Sequence, residues 1–341
     1  MKFAILAPGK IAQSMAEALQ GLKEQSVQES QCIAEELGVD TSAIELYAVA
    51  SRSMERAEEF AKQWGFEKAY GSYEEMLDDE AVDIVYVASP HSYHFVHTKM
   101  CLEHGKHVLV EKPFTVNAQQ AQELISLSKD KGVLLAEAIW TRYMPSRSML
   151  NEVLDSGVIG TPTSLVANLG YPMRHKERLC KPELAGGALL DVGVYPIHFS
   201  LMVFRSRITK LDATAVMSPE GVDWTNSVTF TFDNGELAVL HSTMLSPTDR
   251  LGVIYGDKGY VEVLNINNCE AIRVYNTEHK MIATHKVPEQ INGYEYEVLA
   301  CMKAIAQGEI ECGDMPHSET LRVMQILDSI RAKWGMRYPC E

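Results

Sequence analysis

The first 136 residues of this 341-residue chain alternate short apolar runs with stretches of helical periodicity, and that alternation limits the fold more than any other feature. Lys2–Ala7 reads as a buried strand, Ile11–Leu22 as a helix, and Leu46–Ala50 as the next strand. Ser53 then caps a helix over MERAEEFAKQW that stops at Gly65, and Ser72 with Glu75 forms a capping-box signature before a shorter helix. Ile84–Ala88, Val108–Val110 and Val133–Ala136 supply further strands. Between them lie a helix ending at His104 and Gly105, and a longer one capped by Asn117 with Gln120 and closed by Gly132. Strands that alternate with helices predict a parallel sheet covered on both faces.

Beyond residue 137 the pattern changes. One helix (Ser146–Asp155) leads through Gly157, Gly160 and Pro162 into strands separated by hairpin signals. Asp233-Asn234-Gly235 and Asp257-Lys258-Gly259 are the clearest of these. Two helices, Tyr294–Gln307 and His317–Trp334, close the chain. The expected division is therefore 1–137, α/β, and 138–341, α+β with an open, mostly antiparallel sheet. Residues 20–44 form a Gln/Glu-rich stretch, expected as a solvated insertion in the first helix–strand connection.

Composition narrows the classes of partner. Lys plus Arg number 31 against 46 for Asp plus Glu, a formal charge of −15, which repels nucleic acid and anionic membranes. Seven scattered cysteines include no C-x-x-C pair, so neither a zinc knuckle nor a disulfide framework is expected. Reduced thiols in the cytoplasm fit best. The opening MKFAILAPG has too short an apolar core for a secretion signal, and no apolar run is expected to reach the roughly 20 residues of a membrane span.

The residues with chemical promise cluster at predicted strand ends. Ala7-Pro8-Gly9-Lys10-Ile11-Ala12 is an imperfect relative of G-x-G-x-x-G, with alanine at its first and third glycine positions. An ordinary strand–helix turn fits the same letters, but its place after the first strand favours a turn that presents backbone N–H groups to a pyrophosphate. The second strand ends at Ser51-Arg52, with Arg56 four residues on. An acidic residue there would suit a ribose 2′-OH; a hydroxyl and two guanidinium groups suit a 2′-phosphate instead. NADP(H) is thus the favoured cofactor and NAD(H) the second choice. The competing reading is a surface helix whose arginines face Glu55, Glu58 and Glu59.

Ser89-Pro90-His91 follows another strand. His91, His94 and His97 recur every third residue, but no carboxylate or cysteine joins them, so no metal is expected. His94 is the candidate for touching the cofactor. Lys112 lies between Glu111 and Pro113 at the end of HVLV, and proline holds the residue before it extended. In GGALLDVGVYPIHF, Asp191, Tyr195 and His198 fall at i, i+4 and i+7, one face if the segment is helical. Pro196 inside that helix should bend it. A tyrosine phenol, with a pKa of about 10, becomes a useful proton carrier beside an ammonium that stabilises its phenolate. Lys112 and Tyr195 therefore make a candidate proton relay; the bland alternative is a core tyrosine capped by Asp191.

The series APGKIA, AVASRSMERA, ASPHSYH, GKHVLVEKP, EAIWTRYMP and GGALLDVGVYP resembles, in order and over essentially the whole chain, the glucose–fructose oxidoreductase / inositol dehydrogenase family (Gfo/Idh/MocA). Through Glu137-Ala138-Ile139-Trp140-Thr141-Arg142 it is most similar to the dimeric dihydrodiol dehydrogenase and NADP-dependent aldose dehydrogenase branch. The resemblance implies an N-terminal Rossmann doubly wound parallel sheet, and a C-terminal domain whose open sheet joins subunits into a homodimer or homotetramer. It implies Lys112 beside the nicotinamide, Tyr195 as acid/base, Arg52 and Arg56 on the 2′-phosphate, and Trp140 and Arg142 lining the cleft. Asp191-x-x-x-Tyr195-x-x-His198 departs from the Asp-x-x-x-His-x-x-Asp of inositol-dehydrogenase-like members, which leaves His198 as a candidate substrate contact. The implied substrate is a sugar, polyol or cyclic diol. The alternatives are a non-catalytic NADP(H) sensor on the same fold and an NAD-dependent polyol dehydrogenase.

Overall fold

The computed structural model describes residues 1–341 and divides into two compact units, Met1–Tyr143 with Glu289–Met324, and Met144–Pro288 with Gln325–Glu341. In the first unit, β1 (Lys2–Leu6), β2 (Glu45–Ala50), β3 (Lys68–Tyr70), β4 (Ile84–Val87), β5 (His107–Glu111) and β6 (Leu135–Ala138) form one sheet in the order β3-β2-β1-β4-β5-β6. Every pairing is parallel. β1, β4 and β5 are buried nearly throughout, as strands covered on both faces must be. The strand order reverses between β1 and β4, where such sheets open a ligand crevice at their carboxyl ends. β3 holds only three half-buried residues, too few to show a period in the sequence. β6 lies two residues later than the apolar run Val133–Ala136 suggests.

The connecting helices are α1 (Lys10–Lys23), α2 (Gln28–Leu37), α3 (Met54–Trp64), α4 (Tyr73–Leu77), α5 (His94–Glu103) and α6 (Ala118–Lys131). Their expected caps are made. The Ser53 hydroxyl accepts the Arg56 N–H at 3.4 Å, Ser72 that of Glu75 at 3.1 Å, and Asn117 Oδ1 that of Gln120 at 2.9 Å. Each such cap stabilises its helix by about 1 kcal/mol.

The second unit begins with α7 (Pro145–Asp155), β7 (Pro162–Gly170) and α8 (Glu177–Cys180). A π-helical turn, Leu189–Gly193, runs directly into α9 (Val194–Val203). Then follow β8 (Ile208–Met217), β9 (Asp223–Phe232), β10 (Leu237–Thr243), β11 (Gly252–Gly256), β12 (Gly259–Leu264), β13 (Ala271–Asn276) and β14 (Met281–Lys286). The sheet order is β14-β13-β12-β11-β7-β10-β9-β8, and only β7 and β10 pair in parallel. Both expected hairpins form, Asp233–Gly235 between β9 and β10 and Asp257–Gly259 between β11 and β12. The π turn and α9 cover one face of the sheet, and Val166, Leu237, Val239 and Tyr255 stand exposed on the other. The expectation that no apolar run reaches membrane-span length is corrected here: the 22-residue segment Pro182–Val203 is long and apolar enough, by length and mean hydropathy, to match a span. It is a core segment, with 89% of its apolar window buried within the protein.

Two expectations about organisation are also corrected. A single cut at 137/138 fails because the chain returns to the first unit at Glu289. There the Glu295 carboxylate, with no exposed surface, accepts the backbone N–H groups of Ile291 (2.7 Å), Asn292 (3.3 Å) and Gly293 (2.6 Å). It thereby starts α10 (Glu295–Ala306), while the Asn292 amide donates to the Ser14 carbonyl in α1 at 2.9 Å. Residues 20–44 are not merely solvated: they contain α2, which packs on α10 and donates from Ser30 Oγ to Glu295 Oε1 at 3.3 Å. The last helix, α11 (His317–Trp334), contains the second division, at Met324.

Candidate functional site

In the first unit the predicted cofactor residues all lie at carboxyl ends of the parallel strands. Ala7 follows β1 with φ +68°, the left-handed conformation that glycine adopts freely and alanine at a cost. Its N–H donates to the Ala50 carbonyl at 3.0 Å, and its own carbonyl accepts the Gly9 N–H at 2.8 Å. Gly9 is the N-cap of α1 and provides no side-chain cap, and Lys10 and Ile11 open the helix with no acid in its first turn. A Cβ at Gly9 would meet only the Ala7 carbonyl, at 4.0 Å. The turn thus presents unsatisfied N–H groups and open space to an anion.

After β2, Ser51 is buried and its hydroxyl accepts the Ser53 N–H at 3.3 Å, which shapes the turn that carries Arg52. Arg52 and Arg56 are both exposed, and neither pairs with Glu55, Glu58 or Glu59. Two unpaired guanidinium groups beside a bare helix N-terminus fit a phosphorylated dinucleotide. After β4, Ser89 is buried and Pro90 exposed.

His94 has a different task from the one expected. It has no exposed surface, and its Nδ1 and Nε2 each lie 2.8 Å from a carbonyl, those of Pro113 and Ser89. Burial outweighs both carbonyls and pushes the ring down to about 4, so the neutral ring donates its single N–H to one carbonyl while its other nitrogen packs against the second. His94 ties the loop after β4 to the loop after β5. His97 packs between Tyr73 and Tyr93 (centroids 4.9 and 5.6 Å), so the three-residue spacing of histidines reflects packing rather than one shared ligand.

Glu111 ends β5; its carboxylate accepts from the Tyr86 hydroxyl and, at 3.2 Å, from the Lys112 N–H. The Lys112–Pro113 peptide bond is cis. Glu137, buried in β6, accepts the Phe114 N–H at 3.2 Å and the Thr320 hydroxyl at 3.0 Å, so it pins the loop just past Lys112. Burial, against both of those bonds, pushes Glu137 up to about 7. Trp140 stacks at a tilt on Tyr294, with centroids 4.7 Å apart. Arg142 is only 3% exposed and pairs with Glu319 at 3.3 Å, so its charge is spent inside the first unit.

The second unit holds Asp191, Tyr195 and His198, all buried. Asp191 lies in the π turn, where Arg178 from α8 donates to its Oδ1 at 3.1 Å. Tyr195, 7% exposed, and Pro196 fall in the first turn of α9. The bend expected at Pro196 takes the form of this wider upstream turn, whose i→i+5 bonding makes room for a ring that cannot donate. The spacing of Asp191 and Tyr195 therefore departs from that of a straight α-helix. Gly186 and Gly187 do make the close approach expected of them: Cβ atoms there would lie 2.4 Å from the Leu179 carbonyl and 2.3 Å from Asp223 Oδ1.

One buried acid escaped the sequence reading. Glu297 on α10 has no exposed surface, and neither carboxylate oxygen has a hydrogen-bond partner. Burial and then the Glu111 charge hold its carboxyl well above the usual range. In the sequence it is only the second glutamate of Tyr294-Glu295-Tyr296-Glu297, with nothing to mark it as interior.

Comparison with known proteins gives this geometry a context. Residues 1–139 match an oxidoreductase family with an NAD-binding Rossmann fold, and residues 148–262 match the Gfo/Idh/MocA C-terminal domain. The chain is 34% identical to human trans-1,2-dihydrobenzene-1,2-diol dehydrogenase, over 86% of this chain and 90% of the relative. It is 31% identical to D-xylose 1-dehydrogenase (NADP(+)) of Hypocrea jecorina, over 99% of this chain and 93% of the relative. Among solved structures it resembles a 3-ketoreductase from Actinomadura kijaniata in complex with TDP-benzene and NADP, in an open conformation. That match has a TM-score of 0.78 and 25% identity, covering 97% of this chain and 96% of the other.

Proposed function

The chain belongs to the Gfo/Idh/MocA oxidoreductases, and from that membership we propose that it moves a hydride reversibly between NADP(H) and a hydroxyl- or carbonyl-bearing carbon of a sugar, polyol or cyclic diol. When bound, the nicotinamide supplies or accepts the hydride. Gly9 and the start of α1 hold the pyrophosphate, and Arg52 and Arg56 hold the 2′-phosphate. Tyr195 exchanges the proton of the substrate oxygen, and the Lys112 ammonium favours its phenolate and orients that oxygen. Asp191, already bonded to Arg178, steadies the Tyr195 turn, and His198 contacts substrate hydroxyls.

The observation that carries the reading is the presence of Lys112 and Tyr195 together in a chain whose two halves both match the family; a sensor has no use for a proton carrier. The substrate class is supported by the diol and aldose dehydrogenases among the relatives. Tyr195→Phe should lower kcat by at least ~10²-fold while NADPH affinity survives. Near-full turnover in that variant removes Tyr195 from the mechanism.

The exposed apolar residues on the outer face of the second-unit sheet support a homodimer or homotetramer through that face. The odd number and scatter of the seven cysteines support residence in the reducing cytoplasm.

A further inference from the structure

Asp223, the first residue of β9, has no exposed surface. Its Oδ2 accepts the Leu189 N–H at 2.9 Å, the first residue of the π turn, and the Asn226 side-chain N–H at 2.8 Å. Asn226 in turn accepts from the Ser242 hydroxyl at 2.9 Å, across the β9–β10 pair in which these two residues are partners. The same Ser242 oxygen lies where a Cβ on Gly193, the last residue of the π turn, would approach to 2.9 Å. Both ends of the turn therefore rest on one polar chain rooted in the sheet. Gly187, at φ +107°, leaves space for Asp223 Oδ1, which any Cβ would crowd to 2.3 Å. On the other flank the Tyr338 hydroxyl donates to the Gly186 carbonyl at 2.6 Å, and Arg331 covers the Tyr338 ring at 5.0 Å. Asp328 and Glu341 hold Arg331 in that place.

A carboxylate buried at this depth is costly unless bonded, and a packed core would satisfy the sheet without it. Its bonds go to the turn that carries Asp191 and leads into Tyr195. We propose that Asp223 is a positioning residue for the acid/base helix, with Ser242, Asn226 and Asp223 acting in series to fix the Leu189 N–H and so the turn that carries Asp191 and leads into Tyr195. The proposal rests on the reading of Tyr195 as acid/base.

The test uses the whole 341-residue chain. Asp223→Ala should lower kcat about 10- to 100-fold, the scale of a misplaced catalytic group, with NADPH affinity within about 3-fold of the parent. Asp223→Asn keeps the accepting oxygen and should retain at least about a third of the parent kcat. In a Tyr195→Phe background the Asp223→Ala change should cost less than about 3-fold more, because it acts through the missing hydroxyl. Hydrogen exchange over residues 186–195 should quicken in Asp223→Ala and not in Asp223→Asn. Parental kcat in a folded Asp223→Ala protein, equal loss in both variants, or a fully additive double variant each overturns the proposal. If Asp223→Ala does not fold, Ser242→Ala breaks the series one step earlier, and unchanged exchange over 186–195 overturns the proposal instead. Exchange needs no turnover, so failure of the Tyr195 reading alone leaves that arm intact.

Discussion

The two sets of site residues are made from different materials. On the Rossmann side the main chain dominates, through a turn at Ala7–Gly9 and an uncapped helix start, with two side-chain guanidinium groups left unpaired at the surface beside it. In the second unit, side chains dominate, and their positions come from buried polar groups bonded to a non-standard helical turn. A backbone cradle can hold a cofactor without any one side chain being essential. A proton carrier must be held at one angle and distance, and that requires support from beneath. Variants on the first side should therefore change affinity and cofactor choice, and variants on the second should change turnover.

Lys112 is the residue that can break this division. It belongs to the first unit, yet its proposed role is in proton transfer. Lys112→Met should lower kcat by ~10²-fold or more, with NADPH affinity changed much less, as judged by transient kinetics and cofactor titration. A loss confined to affinity would make Lys112 a plain cofactor contact. The double variant Arg52→Ala, Arg56→Ala comes next in size. It should weaken NADPH binding about 10- to 100-fold, the worth of one or two hydrogen bonds to a charged group, and leave NADH nearly untouched. Equal losses for both cofactors would end the 2′-phosphate assignment. A smaller effect sharpens the view of the exposed sheet: Val239→Lys should shift sedimentation toward the monomer, and an unchanged sedimentation coefficient would argue against that face as the subunit contact.

The same contrast explains what could be read in the sequence. The parallel sheet was legible because strands buried on both faces are unbroken apolar runs and helices of normal length carry their own caps, as at Ser53 and Asn117. The positions of the strand-end motifs followed directly. β3 was illegible at three residues, and α2 was obscured by a polar composition that hides its contact with α10 through Ser30. His94 misled because a histidine wedged between two carbonyls and one facing a ligand are the same letter. The π turn was signalled only by Pro196, and the acceptor that starts it, Asp223, lies 34 residues away. Long-range polar contacts of that kind leave no period or spacing.

Glu297 offers the mildest and most discriminating comparison, because it is buried like Asp223 yet has no bond to justify it. An unfolded glutamate ionises near 4.3, whereas the folded protein holds this proton to a much higher pH. Between those points the folded state binds more protons than the unfolded one, so stability falls as pH rises. Glu137 and Asp223, each pushed up to about 7, add to that fall between roughly pH 4 and 7. Glu297→Gln cannot ionise, so it should raise the Tm by a few degrees at pH 8 and change it little at pH 4.5. Glu137 and Asp223 contribute further falls up to about pH 7, opposed by His94 and His97, whose rings are pushed down to about 4 and so favour the folded state as pH rises. Asp223→Asn should remove the Asp223 share. Parallel Tm curves for parent and Glu297→Gln across this range would mean that the glutamate ionises as readily in the folded protein as in the unfolded one. An unbonded interior carboxyl would then be no worse placed than a bonded one.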